Sequence, residues 1–537
     1  MRARRLLPVL LALPLVITAC SGSGTGTGSP GAVGGATAGP DNRPVKGGGM
    51  FNIALSEDPD ALDPTTANTF VAREVFASMC EKLYDVNDKL EIIPQLAASL
   101  PKVSSDGLTV TIALRTGAQF TDGTTFDAAA VKKTLDRDRT LPGSSRKSEL
   151  AAVSAVDVVD PNTIKLTLSR PFSPLSAQLA DRAGMIMSPA ALDKEGKDFG
   201  ANPVCVGPFS FVSRTSGNEI VLKKSQIYYD SAKVKLDGIT YKIITDPNVR
   251  SANLRSGDIQ GGERMATTDV PSLQSNPDLK VLGVDTIGYQ GITINLSNAN
   301  GTSKPPGQVN TPLAQHPELR QAFELSLDRA AINKVVFNGL YAPDCSPLPT
   351  QSPYRKAGLT CTPHDVAAAK KLVAQSGVTT PIPVTLLVAA NATSERLGQV
   401  IQAMAKEAGF DVNVQPREFV TSLNEARSGK FDTIQVGWSG RVDPDGNTND
   451  LITSGGSNNY SGLHDPIIDN SIKEAAAAMD PKERAALYTK ALDEERKQLG
   501  IIYLYHERYY LGLSAKVAGV DFYADGIPRF KTAGFAA

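Results

Sequence analysis

The stretch IALRTGAQFTDGTTFDAAAVKKTLDR, residues 112–137, places a strand pattern, a turn and a helix pattern in direct succession. Apolar residues at positions 108, 110, 112 and 114 alternate with polar or small residues, which is the period of a half-buried strand. Asp122 and Gly123 favour a turn, and Asp127 is placed to cap the helix that follows. The stretch therefore predicts a strand, a turn and a helix, with Val131 and Leu135 on one helix face.

The same kinds of element continue along the chain. ELRQAFELSLDRAAINKVVFNG, residues 318–339, predicts one long amphipathic helix that ends near Asn338 and Gly339. PVTLLVAA (383–390), SERLGQVIQAMAKEAG (394–409) and FDVNVQP (410–416) then predict a strand, a helix and a second strand. This order favours an α/β lobe with parallel strand pairing.

Length and composition set the outer limits. The chain has 537 residues, of which 41% are hydrophobic and 21% are charged, as in ordinary soluble globular proteins. It is too long for a single core, so two or more lobes are expected. The net charge is -1 and no long run of Lys and Arg is present, so nucleic acid is not an expected partner.

The N-terminal residues have the pattern of an export signal. Arg2, Arg4 and Arg5 precede an apolar run at residues 6–17, which is shorter than the roughly 20 apolar residues that span a bilayer. The residues directly before Cys20 resemble a lipobox. This resemblance implies a signal peptide at residues 1–19 and lipidation of Cys20; a plain signal peptide cut elsewhere is the alternative.

The segment after Cys20 lacks the large apolar residues that a core needs. Residues 21–49 read SGSGTGTGSPGAVGGATAGPDNRPVKGGG, and such Gly- and Ser-rich sequences behave as flexible coils. We therefore predict a lipid-anchored tether at residues 20–49, with the folded protein at the cell membrane, outside the cytoplasm.

The cysteines favour disulfides. If Cys20 is lipidated, four cysteines remain, and an even number in an exported protein indicates bridges. Cys345 and Cys361 flank a Pro-rich loop that suits a local bridge, which leaves Cys80 to pair with Cys205. Three pairings are possible and this one is favoured; a zinc site is the rival, although no CxxC spacing supports it.

No catalytic or metal motif is complete. GWSGR, residues 437–441, departs from the nucleophile elbow G-x-S-x-G at Arg441, and no well-placed histidine partner is evident. DPDGN, residues 443–447, lacks the glycine and glutamate spacing of an EF-hand calcium loop and is better interpreted as a turn. We therefore predict a binding protein rather than an enzyme, without a cofactor or a metal site.

Several motifs in one order resemble a known family, the family-5 extracellular solute-binding proteins, which are the peptide-, nickel- and opine-binding receptors of ABC importers. The likeness extends from residue 47 to about residue 530, and the opening stretch at 112–137 is its most diagnostic part. The other motifs are DPDALDPTTANT with EKLYD, NPVCVGPF, LRSGDIQ, GITINLSN, KFDTIQVGWSGRVDPD and IIYLYHERYY. Cys205 stands where relatives usually have glycine, which is consistent with a bridge to Cys80.

The resemblance implies an α/β, two-lobed periplasmic-binding-protein-like (Venus flytrap) fold with an extra subdomain in the first lobe. The implied boundaries are residues 50–286 for lobe I, about 90–200 for the subdomain, 287–511 for lobe II and 512–537 for a return to lobe I. Ligand would be enclosed as the lobes close about two hinge crossings.

The resemblance also implies a ligand-binding cleft, with Trp438 as an apolar wall; the alternative is that Trp438 packs at the edge of a core. Peptide-binding relatives often carry an aspartate near position 441 that pairs with the ligand amine. Arg441 could instead clasp a ligand carboxylate, or pair with Asp443 or Asp445. The expected cleft residues are Thr66, Asn68, Tyr289, Trp438, Ser439, Gly440, Arg441, Asp443 and Tyr460.

The implied function is a lipid-anchored receptor, expected to be a monomer, that delivers peptides or peptide-like solutes to an ABC permease with its ATPase subunits. The alternatives are a receptor for an opine-like conjugate, an oligosaccharide or a metal chelate, and, from another class, a secreted hydrolase or a scaffold lipoprotein.

Overall fold

The computed structural model describes residue 41 and residues 43–537. The predicted signal peptide, the lipidation site Cys20 and most of the predicted tether lie outside the described residues. In the part that the structure describes, no helix has both the length and the apolar character needed to cross a membrane.

The opening stretch folds as predicted. Its strand is Thr109–Ala113, and its helix is Ala128–Thr140. The Asp127 carboxylate accepts a hydrogen bond of 2.9 Å from the amide of Ala130, which satisfies one of the free N–H groups at the helix start. Ile112 and Leu135 are both buried in the core of the first lobe.

The first lobe is built on a seven-stranded mixed sheet. In spatial order its strands are Leu279–Asp285, Arg508–Ser514, Gly261–Gly262, Met50–Leu55, Gly238–Ile243, Glu219–Lys224 and Phe209–Thr215. The helices of this part of the chain are Phe70–Met79, Ala128–Thr140, Leu175–Gln178, Pro189–Glu195, Pro247–Ser256 and Val270–Gln274, with short 3₁₀ turns at Arg182–Gly184, Gly196–Ala201 and Ser231–Lys233.

A four-stranded antiparallel sheet lies inside the predicted subdomain. Its order is Lys102–Val103, Thr109–Ala113, Thr163–Leu168 and Val153–Asp160. Its buried residues belong to the same core as Phe51 of the seven-stranded sheet. Smaller pairings join Tyr84–Val86 to Ile92–Pro94 and Asp521–Phe522 to Pro528–Arg529.

The second lobe is built on a six-stranded sheet in the order Ala342–Pro343, Ile501–His506, Tyr289–Ile294, Thr433–Trp438, Ile382–Ala389 and Phe410–Arg417. Ile382–Ala389 pairs in parallel with both of its neighbours, which confirms the predicted parallel strand–helix–strand unit. The helices are Pro312–Gln315, Pro317–Leu325, Arg329–Phe337, Val366–Ser376, Ala392–Glu407, Phe419–Arg427, Asn449–Ile452, Pro466–Ala477 and Pro481–Gln498, with a 3₁₀ turn at Pro444–Asn447.

The predicted long helix at residues 318–339 is two helices, Pro317–Leu325 and Arg329–Phe337. The Asp328 carboxylate accepts a hydrogen bond of 2.9 Å from the amide of Ala331 and so starts a new helix. The apolar periodicity continues across the break, which is why the sequence pattern did not reveal it.

Two predicted boundaries differ in the structure. Val45–Lys46, placed in the tether, pairs with Gly534–Ala536, because backbone hydrogen bonds to a neighbouring strand need no large apolar side chains. The second crossing between lobes falls at Glu507 rather than after Leu511, since Arg508–Ser514 already pairs with Leu279–Asp285 in the first lobe.

Both favoured disulfides are present. Cys80 bonds to Cys205, and Cys345 bonds to Cys361. Asp344, Cys345 and Cys361 form the one group of three metal-capable side chains found among the described residues. Because both sulfurs are oxidised in the bridge, this group offers no thiolate to a metal ion.

Candidate functional site

A cavity of about 590 Å³ lies between the two lobes. The first lobe contributes the turn after Met50–Leu55 and the start of the helix Phe70–Met79, and the second lobe contributes the strand Thr433–Trp438 and both ends of the helix Phe419–Arg427. The volume falls in the usual range for small-molecule sites, about 300–1,000 Å³.

The lobes also contact each other directly, as a closed two-lobed receptor would. The amide of Ser173 in the first lobe donates to the carbonyl of Ala476 in the second at 2.9 Å. The side-chain amide of Gln178 reaches the Asp445 carboxylate at 3.4 Å. The cavity is therefore bounded on both sides by protein.

Five of the nine predicted cleft residues line this cavity, namely Asn68, Tyr289, Trp438, Ser439 and Tyr460. The other four, Thr66, Gly440, Arg441 and Asp443, do not belong to its lining. The structure thus brings the aromatic residues of the predicted set together and gives the charged members other partners.

Trp438 forms part of the wall of the cavity. It is half-buried, it pairs with Tyr289 across two antiparallel strands, and its indole N–H donates to the carbonyl of Gly446 at 2.9 Å. This hydrogen bond fixes the ring orientation. Trp438 also packs against a buried cluster that includes Tyr289 and Leu451, so it lies at the edge of a core as well as in the cavity wall.

Gly440 lies outside the cavity lining and packs against the first crossing between the lobes. Its φ is +80°, and a β-carbon there would lie 2.5 Å from the carbonyl group of Ile287 in the first crossing between the lobes. Only glycine combines this backbone conformation with such a close approach. Glycine is therefore required here by the packing of the backbone against Ile287.

Arg441 has a partner that neither sequence hypothesis named. Its Nε lies 2.5 Å from the carboxylate of Asp181 in the first lobe, and the two side chains are only 10% and 7% exposed. Its guanidinium also stacks over the Trp438 ring at 4.5 Å. Asp443 pairs instead with Arg484 at 2.8 Å, so the alternative in which Arg441 pairs with Asp443 or Asp445 is wrong.

Asp181 is the centre of a charge cluster between the lobes. Arg73, also in the first lobe, donates to its carboxylate at 3.1 Å and reaches the Ser439 hydroxyl at 3.3 Å. Burial alone would raise the pKa of Asp181, but the nearby Arg441, Arg73 and Arg182 outweigh it and hold the pKa well below the usual range. Asp181 therefore stays ionised and links the two lobes.

The cluster also argues against a serine nucleophile in GWSGR. The hydroxyl of Ser439 receives hydrogen bonds from the guanidinium groups of Arg73 and Arg441, both at 3.3 Å. In a serine hydrolase, a histidine accepts the proton of the serine hydroxyl. A guanidinium group is a cationic donor and cannot accept that proton.

None of the charged residues that line the cavity was among the cleft residues predicted from the sequence. Glu57 and Arg264 line it from the first lobe, Glu418 and Arg427 line it from the second, and Glu507 lies at the second crossing. Arg264 packs over the rings of Phe70 and Tyr509 at 4.7 and 4.5 Å. These residues come from separate turns and helix ends, so no local sequence pattern joins them.

Comparisons with known proteins agree with this architecture. The family model for bacterial extracellular solute-binding proteins, family 5, matches residues 91–460. The glutathione-binding protein GsiB of Pectobacterium atrosepticum is 29% identical over 493 residues, covering 90% of this chain and 93% of that protein. GsiB of Salmonella typhi is 29% identical over 454 residues, covering 82% and 86%.

Two solved structures share the fold. The agropinic acid complex of AgaA from A. tumefaciens R10 has a TM-score of 0.81 at 26% identity and covers 91% of this chain and 99% of its own. The complex of Helicobacter pylori DppA with the peptide STSA has a TM-score of 0.82 at 23% identity, with coverage of 92% and 99%. Because the family model covers more than half of the chain, and the two sheets and the cavity between the lobes agree with it, this chain belongs to the family-5 bacterial extracellular solute-binding proteins.

Proposed function

We propose that this protein is the solute receptor of an ABC importer and captures peptides or peptide-like solutes between its lobes for delivery to a membrane permease. The observation that carries the proposal is the cavity between the lobes, which takes its lining from both of them. A solute that contacts both walls binds the closed form more tightly than the open form. The difference between the two binding free energies sets how far the solute stabilises the closed form. The permease would then recognise the closed protein.

The peptide-like class is supported by the relatives. GsiB is a glutathione-binding protein, and the related DppA structure contains a peptide. An opine-like conjugate is the second candidate, because the related AgaA structure contains agropinic acid.

The first test uses Trp438, the only tryptophan in the chain. Because the indole lies in the cavity wall, saturation with a solute that co-purifies with the protein is expected to change its fluorescence. Native mass spectrometry of the purified protein identifies that solute, and protein stripped by denaturation and refolding serves for the titration. Trp438→Phe is the control, which should abolish the signal. A fluorescence response that persists in Trp438→Phe would contradict the placement of Trp438 in the cavity wall. If no solute co-purifies and peptides cause no response, the proposed function is wrong.

The position at the membrane is part of the same proposal. The lipobox pattern before Cys20 supports a lipid anchor, and the Gly- and Ser-rich residues after it support a tether. In this proposal the receptor is a monomer that is held at the membrane, outside the cytoplasm. Cys20→Ala is expected to release the protein from the membrane fraction, or to leave it unprocessed, without changing its melting temperature. Unchanged membrane retention together with unchanged processing would exclude lipidation.

A further inference from the structure

His506 lies where both crossings between the lobes enter the second lobe. It ends the strand Ile501–His506, directly before the second crossing at Glu507. Its ring Nδ1 is hydrogen-bonded to the carbonyl of Gly288, which directly follows Ile287 of the first crossing. The His506 side chain is only 7% exposed. A single buried side chain thus joins the two crossings.

The crossings are also held together by backbone contacts. The amide and the hydroxyl of Thr286 donate to the carbonyl of Glu507 at 3.0 and 2.8 Å. A β-carbon at Gly288 would lie 2.3 Å from the carbonyl oxygen of Trp438, so the chain is tightly packed where the first crossing ends. Opening and closing of a two-lobed protein rotate the backbone at a few such residues. A side chain that fixes the Gly288 carbonyl therefore acts on the motion of the lobes.

The other ring nitrogen of His506 faces an acid. Nε2 lies 3.1 Å from a carboxylate oxygen of Asp344, whose side chain is 6% exposed. The two Asp344 oxygens also accept hydrogen bonds of 2.7 and 2.8 Å from Arg355. Burial alone would raise the pKa of Asp344, but His506 and Arg355 outweigh burial and lower it. Asp344 is therefore a carboxylate at neutral pH.

The ring of His506 is thus placed between two oxygens that only accept hydrogen bonds, one of a carbonyl and one of a carboxylate. A neutral imidazole has one N–H donor and one acceptor nitrogen, so it serves one of these oxygens and turns a lone pair toward the other. The imidazolium form has two N–H donors and serves both. The positions of the two oxygens therefore favour the charged form of His506.

Three other charged groups lie on the segments around the ring. Arg355 is bound to Asp344. Glu507 accepts a hydrogen bond of 2.8 Å from a neutral glutamine, and Arg508 lies 3.6 Å from Asp285. Asp344 is thus the acid that the ring meets directly. Burial raises the pKa of the titratable tyrosines on the adjoining segments, which are Tyr289, Tyr341 and Tyr505.

The closed arrangement of the lobes gives the effect its direction. The first lobe contacts the second through the hydrogen bond from Ser173 to Ala476, so both contacts of the His506 ring belong to the closed form. Rotation of the backbone at the crossings moves the Gly288 carbonyl relative to the strand Ile501–His506. The double contact, which only the imidazolium makes, therefore stabilises the closed form over the open one.

We infer that His506 is a pH-sensitive hinge residue, whose protonated ring stabilises the closed receptor and whose loss of a proton shifts the equilibrium toward the open form. This inference rests on the proposed function and adds regulation of the same cavity. The stabilisation is present while the ring is charged and is lost as rising pH removes the proton. The ratio of closed to open protein is expected to fall by about tenfold, the effect of one hydrogen bond to a charged group.

The test follows the ring and the lobes of the empty protein over one pH series, from about pH 5 to 9. Nuclear magnetic resonance of protein labelled in its histidine rings reports the charge of each of the four histidines. Single Gln variants of the other three assign their signals, and the remaining signal is that of His506. Small-angle X-ray scattering measures the radius of gyration, which is expected to increase as His506 loses its proton. A ring that keeps one charge state throughout, or a radius that stays constant while the ring titrates, would overturn the inference.

His506→Gln separates the ring from the acids that titrate in the same series. Burial raises the pKa of Asp445 to about 7 and that of Glu57 to about 8. His506→Gln leaves both acids in place, yet the change in radius that follows the ring should disappear. His364→Gln and His464→Gln replace exposed histidines and should retain that change. An unaltered pH dependence in His506→Gln would assign the effect to the acids and overturn the inference. The comparison of charge and radius in the unaltered protein decides the question if His506→Gln does not fold.

Solute capture is judged separately, by the retained solute and by the fluorescence of Trp438. Because the pH series uses the empty protein, a captured solute together with a radius independent of His506 would overturn only the role of the hinge. A radius that follows His506 in a protein that captures no solute would overturn only the proposed function.

Discussion

Replacing Asp181 by asparagine should lower the free energy of unfolding by about 3–5 kcal/mol, the usual cost of leaving a buried charge without its partner. Asp181 lies 2.5 Å from Arg441 and 3.1 Å from Arg73, and Arg182 and Arg146 also act on it. Asparagine has nearly the same volume as aspartate but carries no charge. Without the negative charge at the centre of the cluster, the guanidinium groups around it repel one another. Chemical denaturation followed by circular dichroism measures the loss.

The matched control is Asp193→Asn. Asp193 also pairs with a cation, Lys133, but its side chain is 73% exposed, so its loss should cost no more than about 1 kcal/mol. Similar losses in the two variants would show that the Asp181 cluster is hydrated rather than buried.

Asp181 pairs with Arg73 within the first lobe and with Arg441 of the second lobe. Arg441→Ala removes only the pair between the lobes. Asp181 then keeps Arg73, so the stability loss should be smaller than in Asp181→Asn. The contact with the second lobe is lost, however, so the open form should gain population. Small-angle X-ray scattering of the empty protein is expected to show a larger radius of gyration than in the unaltered protein. An unchanged radius would mean that this ion pair does not hold the lobes together.

Removing the Cys80–Cys205 bridge with alanine at both positions should lower the free energy of unfolding by about 4–5 kcal/mol in the chain-entropy model. The bridge joins residues 125 positions apart, from the end of the helix Phe70–Met79 to the loop before the strand Phe209–Thr215. Without it, the unfolded chain gains the freedom of a long loop. Denaturation of the variant and of the oxidised and reduced parent protein measures the effect.

The second bridge provides the control. Cys345 and Cys361 are 16 positions apart, so the corresponding double variant should lose about 3 kcal/mol. The parent protein under reducing conditions should approach the sum of both losses. A larger loss from the short bridge than from the long one would contradict the loop-length argument.

Much of the fold could be predicted because its signals are local. The alternation in Thr109–Ala113, the Asp127 cap and the strand–helix–strand order around Ala392–Glu407 depend on hydrogen bonds and side-chain periods within a few residues. The order of several motifs along the chain then indicated the family, and the four cysteines that remain beside Cys20 indicated two bridges. Trp438 and Tyr289, which the resemblance to the family placed in the cleft, line the cavity.

The tertiary structure alone decided the charge pairing. Arg441 lies beside Asp443 and Asp445 in the sequence, yet it pairs with Asp181 of the other lobe, while Asp443 pairs with Arg484. Glu57 and Arg264 of the first lobe meet Glu418 and Arg427 of the second in one cavity only because distant segments of the chain pack together. The physical reason is that the electrostatic energy of two charges depends on their distance and burial. Both quantities are defined only once distant segments of the chain have packed together.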